Sequence, residues 1–182
     1  MFDRPFDAPL PRRADLAKLA RNQAHFRVHL DVAGFPRFAA AVHEGKGCVD
    51  VELLVGFNEE FLRCITGTVS ATVQVICQRC MEPMEIHFGS QVNIGVVTDE
   101  ERAARLPAEM DSLVVEEDDL VDLNEVVEDE LLLGLPFVSY HPVGTCSVEG
   151  LERVSSGSED IAPVVERENP FKVLERLKSG KE

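Results

Sequence analysis

The residues of this chain best suited to chemistry are Cys77 and Cys80 in Cys77-Gln78-Arg79-Cys80-Met81-Glu82-Pro83, and His141 and Cys146 about sixty residues later. Two thiols two residues apart can meet one metal ion from a tight turn. A His-x4-Cys loop can add a nitrogen and a third sulfur, completing the tetrahedral shell that structural Zn²⁺ prefers. Arg79 lies between the thiols and could donate toward a thiolate sulfur. Two other readings stay open: a metal-free hairpin turn with His141 at the surface beside Pro142, or a redox dithiol. Redox pairs normally open a helix that lowers the first thiol's pKa. Here strand-like sequence flanks the motif and Pro83 follows it, which disfavours that reading.

The elements around the motif set where it sits. Val69-Ser-Ala-Thr-Val-Gln-Val75 alternates with period two, inside a strand predicted from Phe61 to Ile76. Met84–Val97 is the next strand, so the CxxC falls at the tip of a hairpin. Cys48–Val55 and His25–Val32 are two further strands, and Thr66-Gly67-Thr68 marks either a strand start or a bulge. Cys48 and Cys64 lie in strand sequence and are read as buried apolar groups. Asp15–Arg21 is a short helix with Leu16, Leu19 and Ala20 on one face, and Phe35–Val42 is another, closed by Gly45. Asp122 and Glu125 have capping-box spacing before a helix that buries Val126, Val127, Leu131 and Leu132 and is stopped by Gly134 and Pro136. The fold class is therefore α+β: an antiparallel sheet, open or barrel-like, with peripheral helices. The organisation is one domain over 1–146, opening with an extended basic arm over 1–14. A flexible linker follows over 147–168, then a C-terminal helix over 169–182 in which Asn169 caps and Phe171, Leu174 and Leu177 form an apolar stripe. That last helix is either a docking peptide or a segment folded back on the domain.

Charge narrows the partners. The chain is 182 residues long with a formal net charge of −15. That argues against wrapping nucleic acid over the whole surface, because phosphate contact needs Lys and Arg. The charge is uneven. Residues 1–27 are net +3, residues 99–130 carry fourteen acids against Arg102 and Arg105, and 167–182 is basic again. Such a field favours basic protein partners, with Asp118, Asp119 and Asp122 as candidate contacts and the basic ends left to touch RNA. Asp99–Asp119 is expected to be a mobile loop with a short strand at Ser112–Val115. Glu128-Asp129-Glu130 cannot share one helix face. They are taken as a solvated acidic face, with one member turned toward the sheet or the CxxC turn, where Arg79 is the expected partner. No nucleophile, phosphate loop or small-molecule site accompanies them. No apolar run is long enough to span a membrane, and the N-terminus lacks the apolar core of a signal peptide. The five cysteines then fit a cytoplasmic chain with reduced or metal-bound thiols.

In order and rough spacing, four elements together resemble the YceD-type large ribosomal RNA subunit accumulation proteins. They are Ile76-Cys-Gln-Arg-Cys80, Val127-Glu-Asp-Glu-Leu-Leu-Leu-Gly-Leu-Pro136, the His141…Cys146 pair and Asn169-Pro-Phe-Lys-Val-Leu-Glu-Arg-Leu-Lys178. The resemblance implies a non-enzymatic cytoplasmic factor for synthesis, processing or stability of large-subunit (23S) rRNA, and it brings no catalytic residues. Some relatives carry extra CxxC pairs in place of the His/Cys pair, and zinc knuckles often place Gly where this chain has Met81. From the residues alone, partner contacts fall on Arg79, the three aspartates and the Phe171/Leu174/Leu177 stripe. The competing class is a metal- or redox-dependent enzyme or sensor built on the CxxC.

Overall fold

A computed structural model describes residues 10–115, 120–142 and 144–146. The predicted linker and C-terminal helix, with Phe171, Leu174 and Leu177, lie outside the described residues, as do Asp118, Asp119 and most of the basic arm. Packing divides the chain into a unit ending at Pro142 and another beginning at Val143. The fold below is that of the first.

Its elements are β1 (Ala14–Asp15), α1 (Leu16–Arg21), β2 (Ala24–Asp31), α2 (Pro36–Ala41), β3 (Gly47–Phe57), β4 (Arg63–Ile76), β5 (Pro83–Val97), α3 (Glu100–Ala103), β6 (Asp111–Val114), β7 (Leu120–Val121) and α4 (Leu123–Gly134). The main sheet runs β2-β3-β4-β5-β6. Its first four strands pair antiparallel, with Val51 opposite Val28 and Val69, and Ala71 opposite Phe88. β6 joins β5 parallel, which the strand pattern did not foretell. The sheet is open, and a two-stranded ribbon of β1 and β7 stands apart.

The period-two pattern sets the layers. Val49, Val51, Leu53 and Val55 of β3 and Ile65, Val69, Ala71 and Val73 of β4 point to one face and are buried, together with Val28 of β2 and Val92, Ile94 and Val96 of β5. Leu16 and Ala20 of α1, Phe38 of α2 and Val127 and Leu131 of α4 close over that face in one continuous apolar core. Phe38 meets Phe88 edge to face, with ring centroids 6.1 Å apart. Filling this layer is the main stabilising term, at about 1.5–3 kcal/mol for each large side chain.

Three expectations change. Gly67 is neither a strand start nor a bulge. β4 is paired without interruption through it on both sides, opposite Leu53 and Val92. Its φ is +151°, and a Cβ there would run into the Glu52 carbonyl, so glycine answers a close backbone approach. The acidic stretch after Asp99 is not a plain loop. Asp99 caps α3, an unexpected helix, by accepting from Arg102 N at 2.8 Å, while the short strand expected at Ser112–Val115 is present as β6, one residue earlier. The carboxylates of 128–130 are not a solvated face, because Glu128 and Glu130 are buried and only Asp129 is exposed.

The N-terminal segment is tied to the start of α4. Asp122 caps that helix through Asn124 N at 2.8 Å. Asn124 Nδ2 donates to the Leu10 carbonyl at 3.1 Å, and Leu10 itself is buried.

Candidate metal centre

The turn between β4 and β5 is built by the first cysteine. Cys77 N donates to Glu82 O, and Met81 N donates back to Cys77 O, each at 2.9 Å. This reversal needs a left-handed residue, and Met81 takes it with φ +62°. For a residue with a Cβ that costs on the order of 1–2 kcal/mol. It is the position where zinc knuckles often place glycine.

The Cys77 side chain points inward and is fully buried. His141 N donates to its sulfur at 3.4 Å. Burial pushes the Cys77 thiol up. The backbone N–H groups of Cys80, His141 and Arg79, with the Cys80 side chain, outweigh that and bring it down to about 5. These oriented dipoles favour the thiolate form of Cys77 at a sulfur with no exposed surface. A buried anion of this kind calls for a cation.

The segment after α4 brings the remaining groups. Gln78 N donates to Ser139 O at 3.0 Å, Gln78 Nε2 to Phe137 O at 3.2 Å and Arg79 Nη2 to His141 O at 2.7 Å. The Arg79 guanidinium also lies 5.7 Å from the Tyr140 ring centre. These contacts bring His141 Nδ1 to 3.2 Å from Cys80 Sγ. The donor atoms of Cys77, Cys80, His141 and Cys146 all lie within 4.8 Å of one another. Two sulfurs 2.3 Å from one ion at the tetrahedral angle stand about 3.8 Å apart. The group is thus within about an ångström of a closed shell, and three sulfurs with one imidazole nitrogen is a donor set suited to zinc. This Cys₃His group could bind a metal.

Arg79 is turned inward rather than toward the acids of α4. Their partner is Arg37, which sequence reasoning missed. Glu128 Oε1 accepts from Arg37 N at 2.6 Å and Phe38 N at 3.2 Å, while Oε2 accepts from Arg37 Nε at 2.8 Å. Arg37 Nη1 reaches Asp129 at 2.8 Å. Glu128 is in effect the missing N-cap of α2, whose own first residues supply no capping side chain. Burial raises the Glu128 carboxyl, but the Phe38 N–H and the Arg37 side chain and N–H win, holding it below the usual range. Glu130 goes the other way. Burial, with Asp111 and Asp129 nearby, lifts it despite a bond from Ser90 Oγ at 3.2 Å. The available signal was Phe35-Pro36-Arg37, a helix start with proline at its first position and no Ser, Thr, Asp or Asn to cap it. Cys64 is buried and Cys48 half-buried in β4 and β3, apart from the centre.

Fold and site together define an α+β sheet domain with a Cys/His knuckle at one hairpin tip. A family model described as large ribosomal RNA subunit accumulation protein YceD matches residues 65–178. The chain belongs to that family. Large ribosomal RNA subunit accumulation protein YceD of Haemophilus influenzae is 29% identical over 170 residues, which cover 93% of this chain and 96% of that one. No solved structure matches. Among the described residues, no helix is long and apolar enough to cross a membrane.

Proposed function

We propose that this chain is a non-catalytic, cytoplasmic accessory factor of ribosome biogenesis that supports synthesis, processing or stability of large-subunit (23S) rRNA. It acts through basic ribosomal or rRNA-processing proteins, with RNA contacted indirectly or through the basic termini. Cys77, Cys80, His141 and Cys146 hold one structural Zn²⁺. The family supports the rRNA role. The observation that carries the zinc reading is a fully buried Cys77 thiolate within reach of two further sulfurs and an imidazole.

When bound, the ion would neutralise the thiolates and tie the β4–β5 turn to the segment after α4. Arg79 supports that junction through the His141 carbonyl. Asp118, Asp119 and Asp122 offer charge to a basic partner, and the Phe171/Leu174/Leu177 stripe adds a second contact.

The low Cys77 pKa also suits a redox or nucleophilic cysteine, and a metal- or redox-dependent enzyme or sensor is the competing reading. Access at Cys77 weighs against the nucleophilic form of that reading, although Cys80 is only half-buried. A sulfur with no exposed surface cannot meet a substrate, and no helix opens at Cys77. In cells lacking the protein, the wild-type chain is expected to restore 23S rRNA and a Cys80→Ser/His141→Ala chain is not. Full restoration by that double variant would remove the zinc centre from the function.

A further inference from the structure

Half of the large exposed apolar side chains of the described residues, five of ten, lie on the knuckle turn, the end of α4 and the segment that follows it: Met81, Leu133, Phe137, Val138 and Tyr140. Phe137 is 96% exposed. The fold holds them outward. Gln78 pins Phe137 O and Ser139 O, and Arg79 pins His141 O. Ser139 is buried between the exposed Val138 and Tyr140, which anchors the segment and leaves the side chains on either side outward. A concentration of this kind on a small domain marks an interaction surface, and aromatic anchors carry most of the binding energy at such surfaces.

The surrounding charge selects the occupant. Residues 77–82 and 122–142 carry six acids against Arg79 as their only Lys or Arg. Glu128 and Glu130 are buried and Arg37 pairs with Glu128 and Asp129, so the exposed charge of this face is set by Glu82 and Glu125. Glu125 and Asp129 are exposed on α4 and lead to Leu133 with four-residue spacing, one helical stripe running into the apolar patch. Glu82 is exposed beside Met81. Arg79 is occupied by His141 O and the Tyr140 ring. A nucleic-acid backbone would meet carboxylates here. A second copy, itself at −15, would meet like charge.

We infer that the knuckle face, from Met81 across Phe137 and Tyr140 to the Glu125–Asp129–Leu133 stripe, docks a basic polypeptide that carries an aliphatic or aromatic anchor. The inference rests on the accumulation-factor reading and names the partner class for that role. Zinc, by tying the two segments together, would keep the patch assembled.

The test places the photo-crosslinking residue p-benzoylphenylalanine at position 137 of the full chain in cells. Expected is a protease-sensitive, nuclease-resistant adduct whose added polypeptide is rich in Lys and Arg. Glu82→Lys with Glu125→Lys should reduce that adduct about tenfold while melting temperature and metal content stay unchanged. A nuclease-sensitive adduct, an adduct of two copies of this chain, no adduct, or an adduct indifferent to the charge reversal would each overturn the proposal. The rRNA role is scored separately. Phe137→Ser/Leu133→Gln, folded and metal-loaded, is expected to leave 23S rRNA depleted. Full restoration by that variant overturns the docking surface while leaving the role intact, whereas failure of the wild-type chain to restore rRNA overturns the role itself.

Discussion

The two hairpin turns that bracket β4 solve the same problem with different atoms. At Asn58–Leu62, the Asn58 carboxamide oxygen accepts from Glu60 N at 3.0 Å and Leu62 N at 2.9 Å, and Phe61 takes the left-handed position with φ +59°. At Cys77–Glu82, a sulfur collects the N–H groups of Arg79 and Cys80, and Met81 is left-handed with φ +62°. In both, the first residue's side chain gathers the turn's amides and a bulky residue is strained near the tip. In the first turn the gathering group is a neutral carboxamide, and the turn closes on itself. The second carries a charge and takes a further N–H from His141, 64 positions away. A neutral amide completes a turn, while a buried thiolate needs something beyond the turn. That difference is the physical argument for a cation at one end of β4 and none at the other.

Exchanging the two solutions breaks the comparison most sharply. Cys77→Asn keeps an acceptor for the turn amides but removes the charged donor. It should lose bound metal and melt lower by roughly 10 °C, for a loss of about 4 kcal/mol. Thermal unfolding with and without chelator checks this: the chelator should destabilise the wild type and leave the variant unmoved.

Glu128 is a third side chain that gathers backbone amides and, like Cys77, a buried one, but its cation is Arg37 of the same chain. Glu128→Ala strands the amides of Arg37 and Phe38 and should cost about 3 kcal/mol by denaturant unfolding. The sign with pH follows from the lowered carboxyl. Its contribution is fully present above the unfolded-chain value of about 4.5 and is lost as pH falls through the lower folded value. Between pH 4.5 and 3 the wild type should therefore lose more stability than Glu128→Gln.

How much was readable in the sequence follows from the range of each signal. β2–β5 were legible because alternation is local, and the CxxC was legible because metal-ligand spacing is local too. His141 and Cys146 were named from their types, but only the fold shows Gln78 and Arg79 holding the segment that delivers His141. Helical spacing correctly separated Glu128, Asp129 and Glu130 onto different faces. It could not show that Arg37 and the open start of α2 waited opposite Glu128, because that pairing spans 91 positions. Gly67 misled for the same reason: its cause is the Glu52 carbonyl on the neighbouring strand. The parallel pairing of β6 depends on the path through α3, which carries no periodic signature.

Smaller effects sharpen the contrast between the turns. Asn58→Ala should cost about 1–2 kcal/mol in stability by loss of its two amide bonds, with metal content and 23S rRNA levels unchanged. A drop in metal content would show that the two ends of β4 are coupled. Met81→Gly and Phe61→Gly should each stabilise the protein by on the order of 0.5–1 kcal/mol, the strain relieved less the added freedom of the unfolded chain. Calorimetric melting resolves both, and a destabilised Met81→Gly would mean that the side chain contributes packing that its exposure does not suggest.

The central claim is that the buried thiolate belongs to a four-ligand metal shell, and elemental analysis of the protein purified without chelator or added metal tests it directly. The account predicts about one zinc per chain, bound tetrahedrally by three sulfurs and one nitrogen, and none in Cys80→Ser. A wild-type chain that is folded, active in restoring 23S rRNA and free of zinc would contradict it.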